Sequence, residues 1–130
     1  MSMLLLAALV APSGALWAAT CTVESNNRSD AVNGSHVGVA QIGPSVVKDL
    51  QRAYPTVCFR LQHRWVPWRS REMWYLWLEL QGRRYLRETG RQPTDETYAR
   101  IWRSGFKGRG DAKSARYWRR VKATMKGGER

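Results

Sequence analysis

The first 23 residues of this 130-residue chain contain no charged side chain, and acidic residues are scarce throughout. Ten Asp and Glu stand against 22 Lys and Arg, which gives a formal net charge of +12. Eleven basic and two acidic residues fall within 100–130 alone. Such an excess of positive charge favours polyanionic partners, namely nucleic acid, acidic lipid or an anionic cell wall, and composition alone does not choose among them.

Long hydrophobic runs are also missing. The longest apolar run, residues 3–11, has nine residues, whereas a membrane-spanning helix needs about 20, so we expect no membrane span. A small-residue segment ending at Ala15 follows the run, but no Lys or Arg precedes it. Residues 1–14 therefore have two interpretations: a signal peptide, which would direct export to the periplasm or cell envelope, or an N-terminal extension.

Cysteine is limited to Cys21 and Cys58, which allow one disulfide at most. A disulfide is credible only if the protein is exported, so the state of the two thiols stays open. No metal-binding spacing joins them to the two histidines, and we expect neither a metal nor a cofactor. A cysteine peptidase using Cys21 and His36 is a distant alternative, because Cys21 lies in the middle of a predicted helix rather than at a helix N-terminus.

Helical periodicity accounts for most of the chain. Helices are predicted over 15–23, 44–53, 70–90, 94–102 and from 112 onward. A short β or turn segment around 33–43, with a strand pattern over 37–42, and a glycine-rich loop over 104–111 interrupt them. The prediction is a mainly α single domain over 15–126, with 127–130 as a C-terminal tail.

Seven tryptophans are present, and Trp65, Trp68, Trp74 and Trp77 lie within thirteen positions. Indole rings can stack on sugar rings, or they can fill a core that needs large side chains. The helical spacing of Trp74 and Trp77 with neighbouring apolar residues favours the core for these two.

Nucleotide or nucleic-acid binding has little support. The segment "GFKGRG" lacks the spacing of a phosphate-binding loop and does not follow a strand. The basic C-terminal helix has no helix-turn-helix or zinc-finger context. We therefore expect no nucleic-acid partner, and the simplest interpretation of the basic helix is a solvated cationic face.

Glu24 is the first charged residue of the chain and ends an apolar predicted helix. A carboxyl group in such surroundings is partly desolvated, which raises its pKa. A carboxylic acid that keeps its proton near neutral pH can protonate a leaving oxygen, as a general acid does in glycoside cleavage. The alternative is an ordinary exposed glutamate in the last turn of a helix.

Four segments in order, "CTVESNN", "GVAQIGPS", "YARIWRSGF" and "YWRRV", resemble the lysozyme-like lytic transglycosylase (SLT-type) domain family. That family carries a Glu-Ser pair at the end of its first core helix, a Gly-Leu-Met-Gln-Ile type segment, an Ala-Tyr-Asn-x-Gly type segment and a tyrosine near its end. The resemblance covers 15–125, which is nearly the whole chain.

The resemblance implies that Glu24 is the single catalytic acid/base. It implies that Ser25 helps to orient the helix end and that Gln41 and Ile42 lie in the segment that lines the sugar cleft. The remaining implied substrate contacts are Trp102 and Tyr117, the latter near the acid.

Three departures from the family pattern occur. Val39-Ala40 replaces Leu-Met, which keeps the apolar character. Trp102 and Arg103 stand where tyrosine and asparagine are usual, which puts the polar contacts of the third motif in doubt. A carboxylate of the glycan or its peptide is a candidate partner for Arg103.

The implied activity is cleavage of the MurNAc-GlcNAc β-1,4 bond of peptidoglycan glycan strands by a monomer, with 1,6-anhydro products. Most glycosidases use two carboxyl groups, and only Asp30 lies near Glu24 in sequence, while Asp49 is expected to be exposed. Two alternatives remain: a muramidase that hydrolyses the same bond with water, and a non-catalytic cationic protein that binds the wall or a membrane. The sequence does not distinguish a bacterial from a phage role.

Overall fold

Five α-helices and one two-stranded hairpin form the described part of the computed structural model, residues 8–127, which confirms the mainly α prediction. A 3-10 helix, Leu61–Trp65, precedes the longest helix. In chain order the elements are α1 (Gly14–Ser25), β1 (Val32–Asn33), β2 (His36–Val37), α2 (Pro44–Ala53), α3 (Pro67–Thr89), α4 (Asp95–Gly108) and α5 (Ala112–Gly127). Helix α5 packs on α1 and α4, and α3 packs on α2 and α4.

The N-terminus of α1 is fixed by its cap. The Ser13 hydroxyl accepts a hydrogen bond from the backbone N–H of Leu16 at 3.0 Å, a normal N-cap contact. The same hydroxyl donates to the carboxylate of Asp95 at 2.6 Å, in the first turn of α4. Of the segment predicted as a signal peptide or extension, residues 1–7 lie outside the described residues, whereas Val10 hydrogen-bonds to Gln92 at 3.0 Å.

The β or turn segment predicted around 33–43 is present as the hairpin and the turn after it, but the strand pattern over 37–42 does not form a strand. Val37 pairs with Val32 in the hairpin and bridges back to Ile42, and the chain between turns through Gly38 and Gln41 with positive φ angles. The intervening residues are all buried, so the apolar pattern reflects a turn enclosed by the core rather than an extended strand.

Gly38 is required at this turn for space as well as conformation. A Cβ atom there would lie 2.0 Å from the carbonyl oxygen of Arg64, far inside contact distance. That carbonyl also accepts a hydrogen bond at 2.8 Å from the hydroxyl of Ser70, which is buried inside α3. Helix α3 begins earlier, with Pro67 in its first turn, and ends as predicted at Gly90.

The predicted glycine-rich loop over 104–111 is wrong in its first half. Helix α4 continues to Gly108, with a local break at Gly105, where φ is 76°. The break is followed by buried Phe106. The guanidinium groups of Arg84 and Arg109 lie 3.9 and 4.2 Å from the centre of its ring. This cation–π packing holds the segment onto the fold, and no short-range sequence signal encodes it.

Aromatic side chains fill the centre of the core, as predicted for Trp74 and Trp77, which are 0% and 8% exposed. Trp74 packs against Trp17 and Trp102, with ring centroids 5.3 and 6.5 Å away. These contacts join α1, α3 and α4.

Candidate active site

Glu24 lies in the last turn of α1, where α5 crosses it. The hydroxyl of Tyr117, on α5, donates a hydrogen bond to Oε2 of Glu24 at 2.8 Å. The two residues are 93 positions apart in the sequence, so the packing of α5 on α1 creates this contact. The predicted proximity of Tyr117 to the acid is confirmed.

The pKa of Glu24 is raised above its ordinary value. Desolvation by burial is the largest cause. Four groups act in the opposite direction: the hydrogen bond from Tyr117, the positive charge of Arg103, the indole of Trp102 and the positive charge of Arg120. Burial thus favours the protonated form of the Glu24 carboxyl group, while four neighbouring groups favour its anion.

Tyr117 itself remains a proton donor. Burial, followed by the charge of the neighbouring carboxylate, raises the pKa of Tyr117 well above its ordinary value. The phenol therefore stays protonated at neutral pH and donates to Glu24.

Glu24 faces a cleft with a volume of about 420 Å³. Its walls come from α1, the hairpin and the turn after it, α2, α3 and α4. The cleft is lined by Glu24, Asn33, His36, Gln41, Gly43, Ser45, Val46, Trp77, Ile101, Trp102, Arg103 and Gly105. Aromatic walls with several polar groups are a combination that suits a sugar chain.

Two of the predicted contact residues line this cleft. Trp102 packs its ring edge-on to Trp77, with centroids 5.6 Å apart, so the two indoles form one wall. The side-chain amide of Gln41 donates to the carbonyls of Ala31 and Gly38 at 3.1 and 3.0 Å. Because both amide hydrogens hold the turn together, its carbonyl oxygen is the group that Gln41 can offer to a ligand.

The structure does not bring Ser25, Ile42 or Tyr117 to the cleft lining. The Ser25 hydroxyl lies 2.7 Å from the carbonyl oxygen of Val39 and 3.1 Å from that of Cys21. It thus ties the end of α1 to the turn after β2. Ile42 is fully buried in the core, so its side chain supports the turn from behind.

Among the described residues that line the cleft, Glu24 is the only acid. Asp30 is 76% exposed and pairs with Arg28 at 3.3 Å in the loop after α1. Asp49 is only partly exposed, contrary to expectation, and its Oδ2 accepts a hydrogen bond from the Trp77 indole at 2.9 Å. Asp49 therefore orients a wall of the cleft instead of facing it.

Sequence reasoning missed several lining residues, of which Asn33, His36 and Ser45 are polar. His36 lies against Gly43, where a Cβ would come within 2.9 Å of its ring nitrogen. The hairpin turn marked this segment as irregular, but only the fold brings it opposite Glu24. Arg103, noted as a departure from the family motif, also lines the cleft.

The cysteine peptidase alternative is not supported. Both cysteines are free thiols, Cys21 buried and Cys58 exposed. Burial raises the pKa of the Cys21 thiol to about 12, which keeps it from forming a thiolate. Within residues 8–127, no cluster of three or more His, Cys, Asp or Glu has the geometry to hold a metal ion.

Comparisons with known proteins leave the family unassigned. No protein-family model, curated protein or solved structure matches the chain. In the described part of the chain, none of the helices combines the length and the apolar character needed to cross a membrane.

Proposed function

We propose that the protein is a peptidoglycan lytic transglycosylase in which Glu24 is both acid and base. The observation that carries the proposal is one desolvated carboxyl group with a raised pKa at the edge of an aromatic-walled cleft. The resemblance of the four sequence segments supplies the substrate class, the MurNAc-GlcNAc β-1,4 bond.

In the first step, protonated Glu24 donates its proton to the glycosidic oxygen as the bond to the anomeric carbon breaks. No second carboxylate belongs to the described cleft lining to act as nucleophile. The acetamido group of the substrate therefore attacks the anomeric carbon, a recognised exception to the two-carboxylate mechanism.

In the second step, the Glu24 carboxylate accepts the proton of the muramoyl 6-hydroxyl. That oxygen bonds to the anomeric carbon and displaces the acetamido oxygen, which yields the 1,6-anhydro product without water. The Tyr117 hydrogen bond and the charge of Arg103 stabilise Glu24 while it is an anion. The opposing influences on its pKa thus suit a group that alternates between acid and base.

The deciding experiment is mass spectrometry of the muropeptides released from purified wall. Products from the wild type should carry anhydro ends. Glu24→Gln should reduce their release about a thousandfold, because general acid–base catalysis contributes on the order of 10²–10⁴-fold. Reducing ends would instead indicate a muramidase, and equal wall clearing by both proteins would indicate a non-catalytic cationic binder.

The variant also reports on its own fold. Burial raises the Glu24 pKa, so the folded state binds the carboxyl proton more tightly than the unfolded state does. The free energy of unfolding therefore falls as the pH rises from the Glu24 pKa of the unfolded state through that of the folded state. Glu24→Gln removes that ionisation. We expect it to unfold at a higher temperature than the wild type at neutral pH, with the difference shrinking in acid.

A further inference from the structure

Exposed apolar side chains are concentrated in one short segment. Five of the seven large exposed hydrophobic residues in the described chain fall between positions 57 and 68. Trp65 and Trp68 are the largest, at 42% and 63% exposed. We call the set the tryptophan–arginine patch; it comprises Val57, Leu61, Trp65, Val66 and Trp68 with Arg60, Arg64, Arg69 and Arg71.

The charge of this segment has one sign. Residues 57–71 contain four arginines and no Asp or Glu. The guanidinium of Arg69 lies 4.4 Å from the ring centre of Trp68. The same guanidinium forms a salt bridge with the Glu72 carboxylate at 3.0 Å. Apolar rings and cationic groups are therefore mixed on one surface.

The Arg64 side chain ties the patch to neighbouring backbone. The Arg64 guanidinium donates to the carbonyls of Ser35 and Ile42 at 2.8 and 3.0 Å. The 3-10 helix, with a rise of about 2 Å per residue, keeps Leu61 and Trp65 within about 8 Å along its axis. The patch is thus a preformed platform that adjoins the hairpin of the cleft.

We propose that this patch docks the protein on the surface of an anionic lipid bilayer. Tryptophan favours the headgroup level of a bilayer, and arginine is attracted to anionic headgroups. The leucine and valines favour lipid over a sugar chain, because they offer apolar volume without the flat face on which a sugar stacks. Docking is peripheral and independent of the proposed cleavage by Glu24.

The test is co-sedimentation with vesicles of phosphatidylglycerol and phosphatidylcholine, and of phosphatidylcholine alone. The wild type should bind the anionic vesicles, and Glu24→Gln should bind equally well. Trp65→Ala/Trp68→Ala should bind at least about tenfold more weakly, since it removes two exposed indoles. Both substitutions lie on the surface, and circular dichroism should show an unchanged fold.

A matched pair of charge variants separates the patch from the net charge. Arg60→Gln/Arg69→Gln and Arg116→Gln/Arg119→Gln each remove two positive charges, the second pair from exposed positions on α5. Only the patch pair should weaken binding several-fold. Equal losses from both pairs, or undiminished binding by the double tryptophan variant, would show that net charge alone is responsible and overturn the proposal.

Other occupants would give different results. If the double tryptophan variant loses binding to purified glycan but not to vesicles, the patch is a saccharide platform and the proposal fails. If the wild type does not bind vesicles and forms a dimer while the double tryptophan variant is monomeric, the patch is a self-association surface. That result also refutes the lipid-docking proposal. Brominated lipid offers a readout without any variant: tryptophan fluorescence should be quenched on vesicles, and unquenched fluorescence would contradict docking.

Discussion

Helix α3 carries tryptophans six residues apart in opposite surroundings. Trp74 is fully buried against Trp17 and Trp102, while Trp68 is 63% exposed and has the Arg69 guanidinium over its ring. A buried indole contributes its apolar surface to the stability of the fold, whereas an exposed one leaves that surface for a partner. One helix thus supports the cleft from its middle and presents the tryptophan–arginine patch from its N-terminal end.

Arginines differ in the same way between the two regions. Arg103 lines the cleft, and its charge acts on the partly buried carboxyl group of Glu24. In the tryptophan–arginine patch, Arg64 is committed to backbone carbonyls, and no acid lies within residues 57–71. The cleft therefore uses positive charge to tune one group, whereas the patch leaves the charges of Arg60 and Arg71 exposed to solvent.

The largest contrast is expected between Trp74→Ala and Trp68→Ala. The first leaves a large cavity among aromatic rings and should cost about 3–5 kcal/mol of unfolding free energy. The second removes a surface ring and should change stability by about 0.5 kcal/mol or less. Urea unfolding of both variants measures this, and similar losses would show that Trp68 is packed like Trp74.

Gly38 tests the contact between the turn that lines the cleft and the 3-10 helix of the tryptophan–arginine patch. Gly38→Ala should cost about 3 kcal/mol, because the added Cβ meets the Arg64 carbonyl and the φ angle is +87°. Gly34→Ala is the control, with φ +63° but open space around it, and should cost only about 1 kcal/mol. Thermal unfolding compares them, and equal costs would mean that the hairpin does not press on the 3-10 helix.

Within the cleft, Tyr117→Phe removes the hydrogen bond to Glu24. That bond lowers the Glu24 pKa, so its loss should raise the pKa further. The acid must be protonated to start the reaction, and the alkaline limb of the pH profile should move to higher pH. Turnover should fall about tenfold, equivalent to about 1.4 kcal/mol, since a hydrogen bond to an anion is lost. An unchanged pH profile would remove Tyr117 from the proposed mechanism.

The smallest effect is expected from Arg103→Gln. The exposed guanidinium lowers the Glu24 pKa through space, and its loss should shift the alkaline limb in the same direction as Tyr117→Phe, but less. Activity should change about two- to threefold, and salt should diminish the difference. Arg119→Gln removes an equal charge from an exposed position on α5 and should leave the pH profile unchanged. If it shifts the profile as much as Arg103→Gln does, the net charge of the protein, and not the position of Arg103, sets the Glu24 pKa.

Local signals in the sequence predicted several elements well. The predicted bounds at 44, 90 and 94 agree with the structure: Pro44 opens α2, Gly90 ends α3 in the left-handed conformation, and Thr94 caps α4, which has acids in its first turn. Each depends on the residue's own backbone preference or on a contact within one helical turn. The burial of Trp74 followed from helical spacing, which is equally local.

Other predictions failed where distant contacts decide the structure. Residues 37–42 form an enclosed turn because Gly38 fits under the Arg64 carbonyl, which is remote in sequence. Helix α4 passes Gly105 because Phe106 is held between arginines of α3 and the loop before α5. Neither the turn nor the continuation of α4 is indicated by hydrophobic periodicity or residue propensity in the sequence.

The sequence by itself determined the helical class, the ends of several helices and the presence of a carboxyl group at the close of an uncharged segment. Only the tertiary structure decided that Tyr117 hydrogen-bonds to this carboxyl group and that Trp77 and Trp102 line the cleft. It also decided that Ile42 is buried in the core instead of lining the cleft. The physical reason is range: caps and periodicity act within a few residues, whereas desolvation and pKa depend on what the folded chain packs around a side chain.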